Sequence, residues 1–213
     1  MDYFIEPMAD EDIPAVQAIE SQSFTTLWSP NAYRREIHNT QSCRYVVVRT
    51  TVATPPPLPL PLVTAPNPQR TGIFSQLVSI FRPQPPEAVV PSATPIVGYG
   101  GLWLTVDDAH VTTIAVEPSQ RGKGLGELLL NALIDHAYDL GADQITLEVR
   151  VSNVTAQRLY LKYGFQPAGT RTRYYTDNGE DALIMWTDPL ASPAYKTRLA
   201  ELRRQLFARL KRS

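Results

Sequence analysis

The sequence predicts a mixed α/β fold, in which a central mixed β-sheet carries helices on both sides. Three observations predict it. Short β-branched runs alternate with segments of helical periodicity along most of the 213 residues. Residues 144–150 (QITLEVR) alternate strictly between apolar and polar side chains, as a half-buried strand does. Residues 127–140 (ELLLNALIDHAYDL) repeat apolar side chains at helical spacing soon after another β-branched run.

The N-terminal third predicts a strand, two helices and a second strand. The first strand covers residues 3–8, and Asp10 is expected to cap the helix that follows it. Ser29 followed by a proline predicts the N-cap and the first position of a second helix, which ends at about His38. Residues 43–49 (CRYVVVR) are then the next strand.

Residues 51–95 differ in composition from the rest of the chain. They hold 12 of the 19 prolines, and proline removes a backbone donor and fixes φ, which excludes a regular sheet or a long helix. We expect an extended or disordered insertion. An apolar island inside it, residues 72–81, predicts either a short docked helix or a segment that binds a partner or a membrane surface. The docked helix is favoured because the island has no basic face.

The chain after the insertion predicts alternating strands and helices. Asp107 and Asp108 are expected to form a turn, Gly141 to end a long helix, and residues 177–179 (DNG) to turn a hairpin. The strands are expected at 96–106, 111–116, 144–150, 165–176 and 181–187, and the helices at 127–140 and 154–163. The element order is therefore β-α-α-β, the insertion, and then β-β-α-β-α-β-β.

Residues 193–212 predict a basic C-terminal helix with a stripe of leucines. From Tyr195 to Ser213 the charge is +6, whereas the rest of the chain carries −7. One interpretation is a helix packed on the body with its basic face in solvent. The other is contact with an anionic partner, such as ribosomal RNA or a membrane surface. We therefore expect one domain over 1–190, interrupted by 51–95, followed by this helix in 191–213.

The overall composition excludes several classes of protein. A net charge of −1 gives no overall basic excess for binding nucleic acid. The single cysteine, Cys43, excludes an internal disulfide and is typical of a reducing compartment. The N-terminal sequence MDYFIEPMADED predicts no signal peptide, and no apolar run is long enough for a spanning helix. A soluble cytoplasmic protein is expected.

A glycine-rich turn, residues 121–126 (RGKGLG), joins the strand 111–116 to the long helix. Backbone N–H groups at a helix start lack intrahelical partners, and glycines let an anion approach them, so the turn suits a phosphate. The alternative is an ordinary strand-to-helix turn. The spacing matches neither a P-loop nor a complete Rossmann fingerprint.

Three further residues, each ambiguous alone, follow this turn. Glu148 is either a catalytic carboxylate or a residue that pairs with a neighbour or faces solvent. Asn153 is a helix cap or a ligand contact, and Tyr160, seven residues on, is a core or a site residue. The three histidines have no metal-ligand spacing, and no GxSxG motif indicates a hydrolase. No metal is expected.

Taken together, IAVEPSQRGKGLG, LEVRVSNVTAQRLYLKYGF and RYYTDNGEDALIM resemble the Gcn5-related N-acetyltransferase family. Arg121, Gly124 and Gly126 meet its pattern [RQ]-x-x-G-x-[GA]. The resemblance covers roughly 3–188 without the insertion, and is strongest from 112 to 186. It implies a three-layer fold with a splayed sheet and, within the family, an enzyme that acetylates a ribosomal protein at its N-terminal alanine.

The resemblance also implies the site. Acetyl-CoA would lie between two splayed strands, with Tyr160 near its sulfur and Asn153 in reach. The expected coenzyme contacts are Ile114, Ala115, Val116, Arg121, Gly122, Lys123, Gly124, Leu125, Gly126 and Glu127, mostly through backbone. The family's peptide groove suggests Trp28, Tyr33, Tyr174 and Tyr175 for the acceptor.

The implied reaction is direct attack of an amine on the thioester in a ternary complex. Glu148 is the expected base, acting through water. Tyr160 is the expected acid, and the Val116 N–H is the expected oxyanion donor. Two alternatives stay open: an acetyltransferase for lysine side chains or small amines, and a non-catalytic coenzyme-binding module. Joint retention of Glu148, Asn153 and Tyr160 argues against the module.

Overall fold

The computed structural model of the protein describes residues 3–51 and 94–211. Within these ranges seven strands form one sheet in the order β1-β2-β3-β4-β5-β7-β6. The elements are β1 (Tyr3–Pro7), α1 (Ile13–Ser21), α2 (Pro30–His38), β2 (Cys43–Thr50), β3 (Ile96–Leu104), β4 (Asp108–Val116), α3 (Leu125–Asp139), β5 (Gln144–Arg150), α4 (Val154–Lys162), β6 (Phe165–Tyr175), β7 (Glu180–Thr187) and α5 (Pro193–Leu210).

The sheet separates two hydrophobic clusters, so the fold has three layers. On one side α1 and α2 pack through residues such as Val16 and Tyr33 against Tyr99 of β3. On the other side the leucines of α3, among them Leu129, pack with α5 residues such as Leu206. The strands pair antiparallel except β4 with β5, which are parallel. The predicted fold class, a mixed sheet with helices on both faces, is confirmed.

The parallel strands β4 and β5 diverge along their length. They pair only from Asp108 to Val111 on β4 and from Gln144 to Leu147 on β5. Beyond this point β4 keeps its pairing with β3 as far as Val116, whereas β5 keeps its pairing with β7. Each strand follows its antiparallel neighbour, and a gap opens between their carboxyl ends, the usual place for a ligand in such a sheet.

Two helix starts test the predicted caps. Ser29 accepts the N–H of Ala32 at 3.2 Å ahead of Pro30, as predicted. The predicted cap at Asp10 is wrong, because residues 10–12 form a 3₁₀ turn and α1 begins at Ile13. Asp12 supplies the local contacts instead. Its carboxylate accepts the N–H of Ala9 at 3.0 Å and pairs with Arg49 at 2.6 Å, which draws the chain into the tighter turn.

The β3–β4 turn lies earlier than predicted. β3 ends at Leu104, and both the N–H and the hydroxyl of Thr105 donate to the Asp108 carbonyl at 2.8 Å. These bonds close the turn over residues 105–107, so Asp108 already belongs to β4. The predicted C′ position of Gly141 is confirmed by its φ of +78° after α3.

The predicted insertion joins two neighbouring strands. The Thr50 N–H donates to the Pro95 carbonyl at 3.0 Å, so the chain leaves β2 and enters β3 at adjacent points. The rest of the insertion, with the apolar island 72–81, lies outside the described residues.

The C-terminal helix α5 is packed on the body. Tyr195, Leu199 and Leu206 are buried in the same cluster as the leucines of α3. Its arginines pair with carboxylates: Arg198 with Asp188, Arg203 with Asp135, Arg204 with Glu201, and Arg209 with Glu127. None of the helices in 3–51 or 94–211 is long and apolar enough to cross a bilayer.

Candidate active site

A cleft of about 480 Å³ opens where β4 and β5 separate. Residues 110–114 of β4 and 147–150 of β5 line its base. The loop between α1 and α2 forms one wall, and the hairpin of β6 and β7 contributes the other. The cleft therefore lies at the point of strand divergence and is bounded by segments from both ends of the chain.

Glu148 lies on β5 in this cleft with 6% of its side chain exposed. Its Oε2 is 3.1 Å from His110 Nε2, and its Oε1 is 3.1 Å from a guanidinium nitrogen of Arg171. The hydrogen bond from His110 lowers the pKa of Glu148 against the opposing effect of burial. Glu148 is therefore held as a carboxylate in a fixed position.

His110 is a site residue that the sequence reasoning missed. It lies on β4 opposite Thr146 in the parallel register, and its ring is 5.7 Å from that of Trp103. The spacing of the histidines along the chain carried no signal. Only the parallel pairing of β4 with β5, which sequence patterns did not specify, brings the imidazole to Glu148. A carboxylate–imidazole pair can hold and pass a proton.

Tyr160 lies on α4, lines the cleft and is 9% exposed. Burial raises its pKa, so the phenol keeps its proton until negative charge develops beside it. Its ring packs on Phe165 at 5.6 Å. Asn153 also lines the cleft, and its side chain caps α4 by accepting the N–H of Ala156 at 3.1 Å. The cap fixes the start of the helix that carries Tyr160.

The end of β4 presents backbone groups to the gap. The Glu117 N–H donates to the Val97 carbonyl of β3 at 2.9 Å. Because amides alternate in direction along a strand, Ala115 faces β3 as well, whereas Ile114 and Val116 face the side that β5 has left. Ile114 therefore presents its N–H and C=O, and Val116 its N–H, where β4 lacks a strand partner. The Val116 carbonyl instead accepts a hydrogen bond from Arg121.

The glycine-rich turn leads from β4 into α3. Gly122 and Gly124 have φ of +79° and +86°, a conformation that side chains disfavour. No side chain caps the helix at Gly124. As at the start of any α-helix, the first N–H groups of α3, from Leu125 onward, have no intrahelical partner, and the helix dipole makes this end positive. The turn fits an anion such as a pyrophosphate.

The charged side chains of this turn make contacts within the protein instead of facing the cleft. Arg121 donates to the Val116 carbonyl at 3.1 Å and to the Ser23 hydroxyl at 3.0 Å. Lys123 donates to Gln120 at 2.7 Å. Glu127, in the first turn of α3, is 8% exposed and turned inward. Anion contacts here would come from backbone rather than from these side chains.

All four residues expected on the acceptor side line the cleft, namely Trp28, Tyr33, Tyr174 and Tyr175. Tyr33 is 1% exposed, whereas Tyr174 is 41% exposed, so they lie at different depths. Tyr175 is covered by the Arg150 guanidinium, 3.8 Å from its ring centroid. Sequence reasoning missed Glu20, which lines the same wall from the end of α1.

The two walls of the cleft touch. The Thr25 hydroxyl, in the loop between α1 and α2, donates to Asp177 in the β6–β7 turn at 2.6 Å. Arg150 holds the same Asp177 carboxylate at 2.8 Å. These contacts join the α1–α2 loop to the β6–β7 turn across the cleft.

Comparisons with known proteins agree with this geometry. The sequence profile of the acetyltransferase (GNAT) family matches residues 79–165. A Bacillus subtilis (strain 168) protein, provisionally named a ribosomal protein bS18-alanine N-acetyltransferase, is 35% identical over 182 residues, covering 85% of this chain and 93% of the relative.

Two crystal structures share the fold. That of the ribosomal-protein-S18-alanine N-acetyltransferase from Escherichia coli has a TM-score of 0.61 and 24% identity, covering 90% of this chain and 96% of the other. A chain in the NatC complex bound to Gag peptide and CoA has a TM-score of 0.63 and 18% identity, with 90% and 100% coverage.

Proposed function

Because the chain belongs to the GNAT acetyltransferase family, as its motifs predicted, and is an acetyl-CoA-dependent N-acetyltransferase, we propose that it acetylates the N-terminal amine of a protein. The proposed acceptor is a ribosomal protein of the S18 type that begins with Ala or Ser, in the cytoplasm. The 35% identical relative, named for that activity, supports this choice over most of the chain.

The coenzyme is proposed to bind along the gap between β4 and β5. The backbone groups of Ile114 and Val116 that face the gap would pair with the coenzyme as a missing strand would. The expected contact from the Ala115 backbone is not proposed, because Ala115 pairs with β3. The N–H groups of the turn that starts at Gly122 would bind the pyrophosphate. The positive φ of Gly122 and Gly124 supports this, because it turns backbone rather than side chains toward the anion. Asn153 would contact the coenzyme from the start of α4.

Glu148 is proposed to remove the amine proton together with His110, through water. A carboxylate paired with the Arg171 guanidinium is a weak proton acceptor alone, so the neighbouring neutral imidazole would supply the second protonation site. An α-amino group has a pKa of about 7.7–8.0 and lysine about 10.4. A modest base of this kind is therefore adequate for a protein N-terminus.

Two further groups would act on the acyl transfer itself. The Val116 N–H is proposed to stabilise the oxyanion, since a fixed dipole needs no reorganisation. Tyr160 is proposed to donate its proton to the departing thiolate. Its buried, protonated phenol, which lines the same cleft as Ile114 of β4, supports this role.

The observation that carries the proposal is the bridged cleft, which is lined by the Glu148–His110 pair. An acceptor that enters by its end presents a terminal amine there. To test the proposal, the purified protein is incubated with acetyl-CoA and an Ala-starting S18 peptide, and mass spectrometry locates the acetyl group. A matched peptide with a blocked N-terminus and one lysine is the control.

Acetyl on the α-nitrogen alone is the expected result. Acetyl on the lysine, or turnover only with free amines, would replace the proposal with the lysine or small-amine alternative. No thioester consumption with any amine would favour a non-catalytic module. In the active enzyme, Glu148→Gln and Tyr160→Phe are each expected to lower kcat by about tenfold or more while coenzyme binding survives.

A further inference from the structure

Glu20, the next-to-last residue of α1, is a buried carboxylate on the cleft wall. It is 3% exposed, and one oxygen accepts the Trp28 N–H at 3.2 Å. The other oxygen, Oε2, is buried near the Tyr33 hydroxyl, but that hydroxyl donates to Tyr99, which leaves Oε2 without a donor in the described part of the chain. A buried carboxylate oxygen strongly favours a donor, so an unpartnered one beside a cleft indicates a ligand contact.

A second buried polar atom lies on the same cleft. Thr113 Oγ1, on β4, is buried beside the Tyr99 hydroxyl of β3, without a well-aligned hydrogen bond among the described residues. Glu20 also lies near Tyr99, so the two side chains are on the same face of the sheet. That face is the one covered by α1 and α2. The two atoms thus share one recess at the side of the cleft opposite α3.

Aromatic rings form the remainder of this recess. Trp28, Tyr33 and Tyr45 line the cleft and lie within 5.6 to 6.3 Å of one another by ring centroids. The Tyr33 hydroxyl donates to the Tyr99 hydroxyl at 3.3 Å. Aromatic faces attract cations, and a carboxylate accepts N–H donors. An ammonium group offers both properties, whereas an anion or a hydroxyl offers at most one.

We propose that Glu20 anchors the ammonium group of the acceptor in this recess, with Trp28 and Tyr33 as its aromatic walls. The inference rests on the proposed function only in that the acceptor is an amine. Glu20 holds the ammonium through Oε2, while a second N–H remains for proton removal at the Glu148–His110 pair. Glu20 is a binding residue here, and it takes no proton from the amine.

This role predicts that loss of Glu20 changes KM for the acceptor but not kcat. A carboxylate contact stabilises the cationic amine, which binds but does not attack, so its loss weakens binding without slowing chemistry. Glu20→Gln is expected to raise KM for the acceptor by about tenfold, with kcat unchanged or slightly higher. KM for acetyl-CoA is expected to stay within about twofold, because the coenzyme contacts lie on the other side of β4.

Glu36→Gln is the matched control. Glu36 is also a buried helical carboxylate, 9% exposed, and accepts a hydrogen bond from Cys43 at 3.1 Å, but it does not line the cleft. It should change neither KM. A fall in kcat for Glu20→Gln at unchanged acceptor KM would overturn the anchor and make Glu20 a base. Equal effects of both variants would make it merely structural.

A binding measurement separates this inference from the proposed function. Calorimetry in the presence of CoA compares the Ala-starting peptide with a des-amino analogue that lacks only the terminal nitrogen. The wild type should prefer the amine, and Glu20→Gln should lose that preference. If the enzyme acetylates a lysine or a small amine instead, the same comparison with that acceptor applies. A wild type that does not discriminate between the members of the pair overturns the inference, whatever the turnover.

Discussion

The proposed site has two halves: a coenzyme half formed by β4, the glycine-rich turn and α3, and an acceptor half formed by α1, the loop after it and the β6–β7 hairpin. Each half contains a buried carboxylate, and the two carboxylates differ in their contacts. Glu127, at the start of α3, is contacted by Lys162 at 2.5 Å, by the Tyr163 hydroxyl at 2.9 Å and by Arg209 at 2.5 Å. Glu20, at the end of α1, has one oxygen bound and one without a partner in the described residues. Both are almost fully buried.

The difference follows from what each half must do. An unpaired buried polar group costs about 1–3 kcal/mol, so the protein satisfies such groups unless a ligand does. At Glu127 the protein supplies every contact, from α4 and from α5, and so fixes the glycine-rich turn before the coenzyme arrives. At Glu20 the protein leaves a contact for the acceptor. A preformed coenzyme site beside an incomplete acceptor site suits binding of the coenzyme first.

The largest change in KM for acetyl-CoA is expected from a substitution in the glycine-rich turn. Gly124 has φ +86°, and a Cβ there would lie 3.3 Å from Leu206 of α5. Gly124→Val combines backbone strain of about 1–2 kcal/mol with crowding against α5. We expect KM for acetyl-CoA to rise by about thirtyfold or more, as measured by initial rates. Gly141→Ala is the control, because Gly141 has similar φ but open space at the far end of α3. Equal coenzyme effects would contradict a preformed turn.

The next largest change in KM for acetyl-CoA is expected at Arg209, and this variant tests whether α5 supports the coenzyme half. Arg209→Gln removes one of three contacts to Glu127, and we expect KM for acetyl-CoA to rise by about fivefold at unchanged kcat. Arg204→Gln on the same helix is the control, since Arg204 is 76% exposed and pairs with Glu201 within α5. If both variants match the wild type in KM, α5 contributes nothing to the coenzyme site.

The sequence predicted the coenzyme half better than the acceptor half, for a physical reason. The strand 111–116, the glycines and α3 are contiguous, so local patterns describe them. The gap beside β4 depends on where its pairing with β5 ends, at Val111 and Leu147, which only the folded sheet specifies. The motif resemblance supplied that splay, whereas residue patterns alone gave a mixed sheet.

The acceptor half is assembled from distant segments, so local sequence patterns predicted fewer of its residues. His110 meets Glu148 only through the parallel register, and Glu20 reaches the cleft only because the chain turns back at Trp28. Neither His110 nor Glu20 has a local pattern that separates it from a surface side chain, and the Trp28 contact of Glu20 forms only in the folded chain. The four aromatic residues expected on this side do line the cleft, yet which of them contacts the acceptor is still a prediction.

A smaller effect is expected where the acceptor half is bridged. Thr25→Val keeps the shape of the side chain but removes its hydrogen bond to Asp177. We expect KM for the acceptor peptide to change by about two- to fivefold, with KM for acetyl-CoA unchanged, because one exposed hydrogen bond is worth little. Thr26→Val, one residue on along the same wall, is the control. A change in coenzyme KM would mean that the two halves are coupled.

The smallest effect concerns acid stability of the same hairpin. Hydrogen bonds from Ser152, with Arg150 beside it, lower the pKa of Glu180 to about 2 from 4.5. The folded-state pKa lies below the unfolded one, so this stabilisation is full above about pH 4.5 and is lost as the pH falls toward 2. Glu180→Gln should therefore flatten the acid dependence of Tm in that window while leaving the dependence above it unchanged. The side chain of Glu180 is 14% exposed, but its ion pair with Arg150 lies near the protein surface and is screened by solvent, so the shift in Tm should be slight. If Tm of the variant falls with acid pH as steeply as that of the wild type, contacts other than this carboxylate hold the hairpin and the cleft wall that carries Asp177.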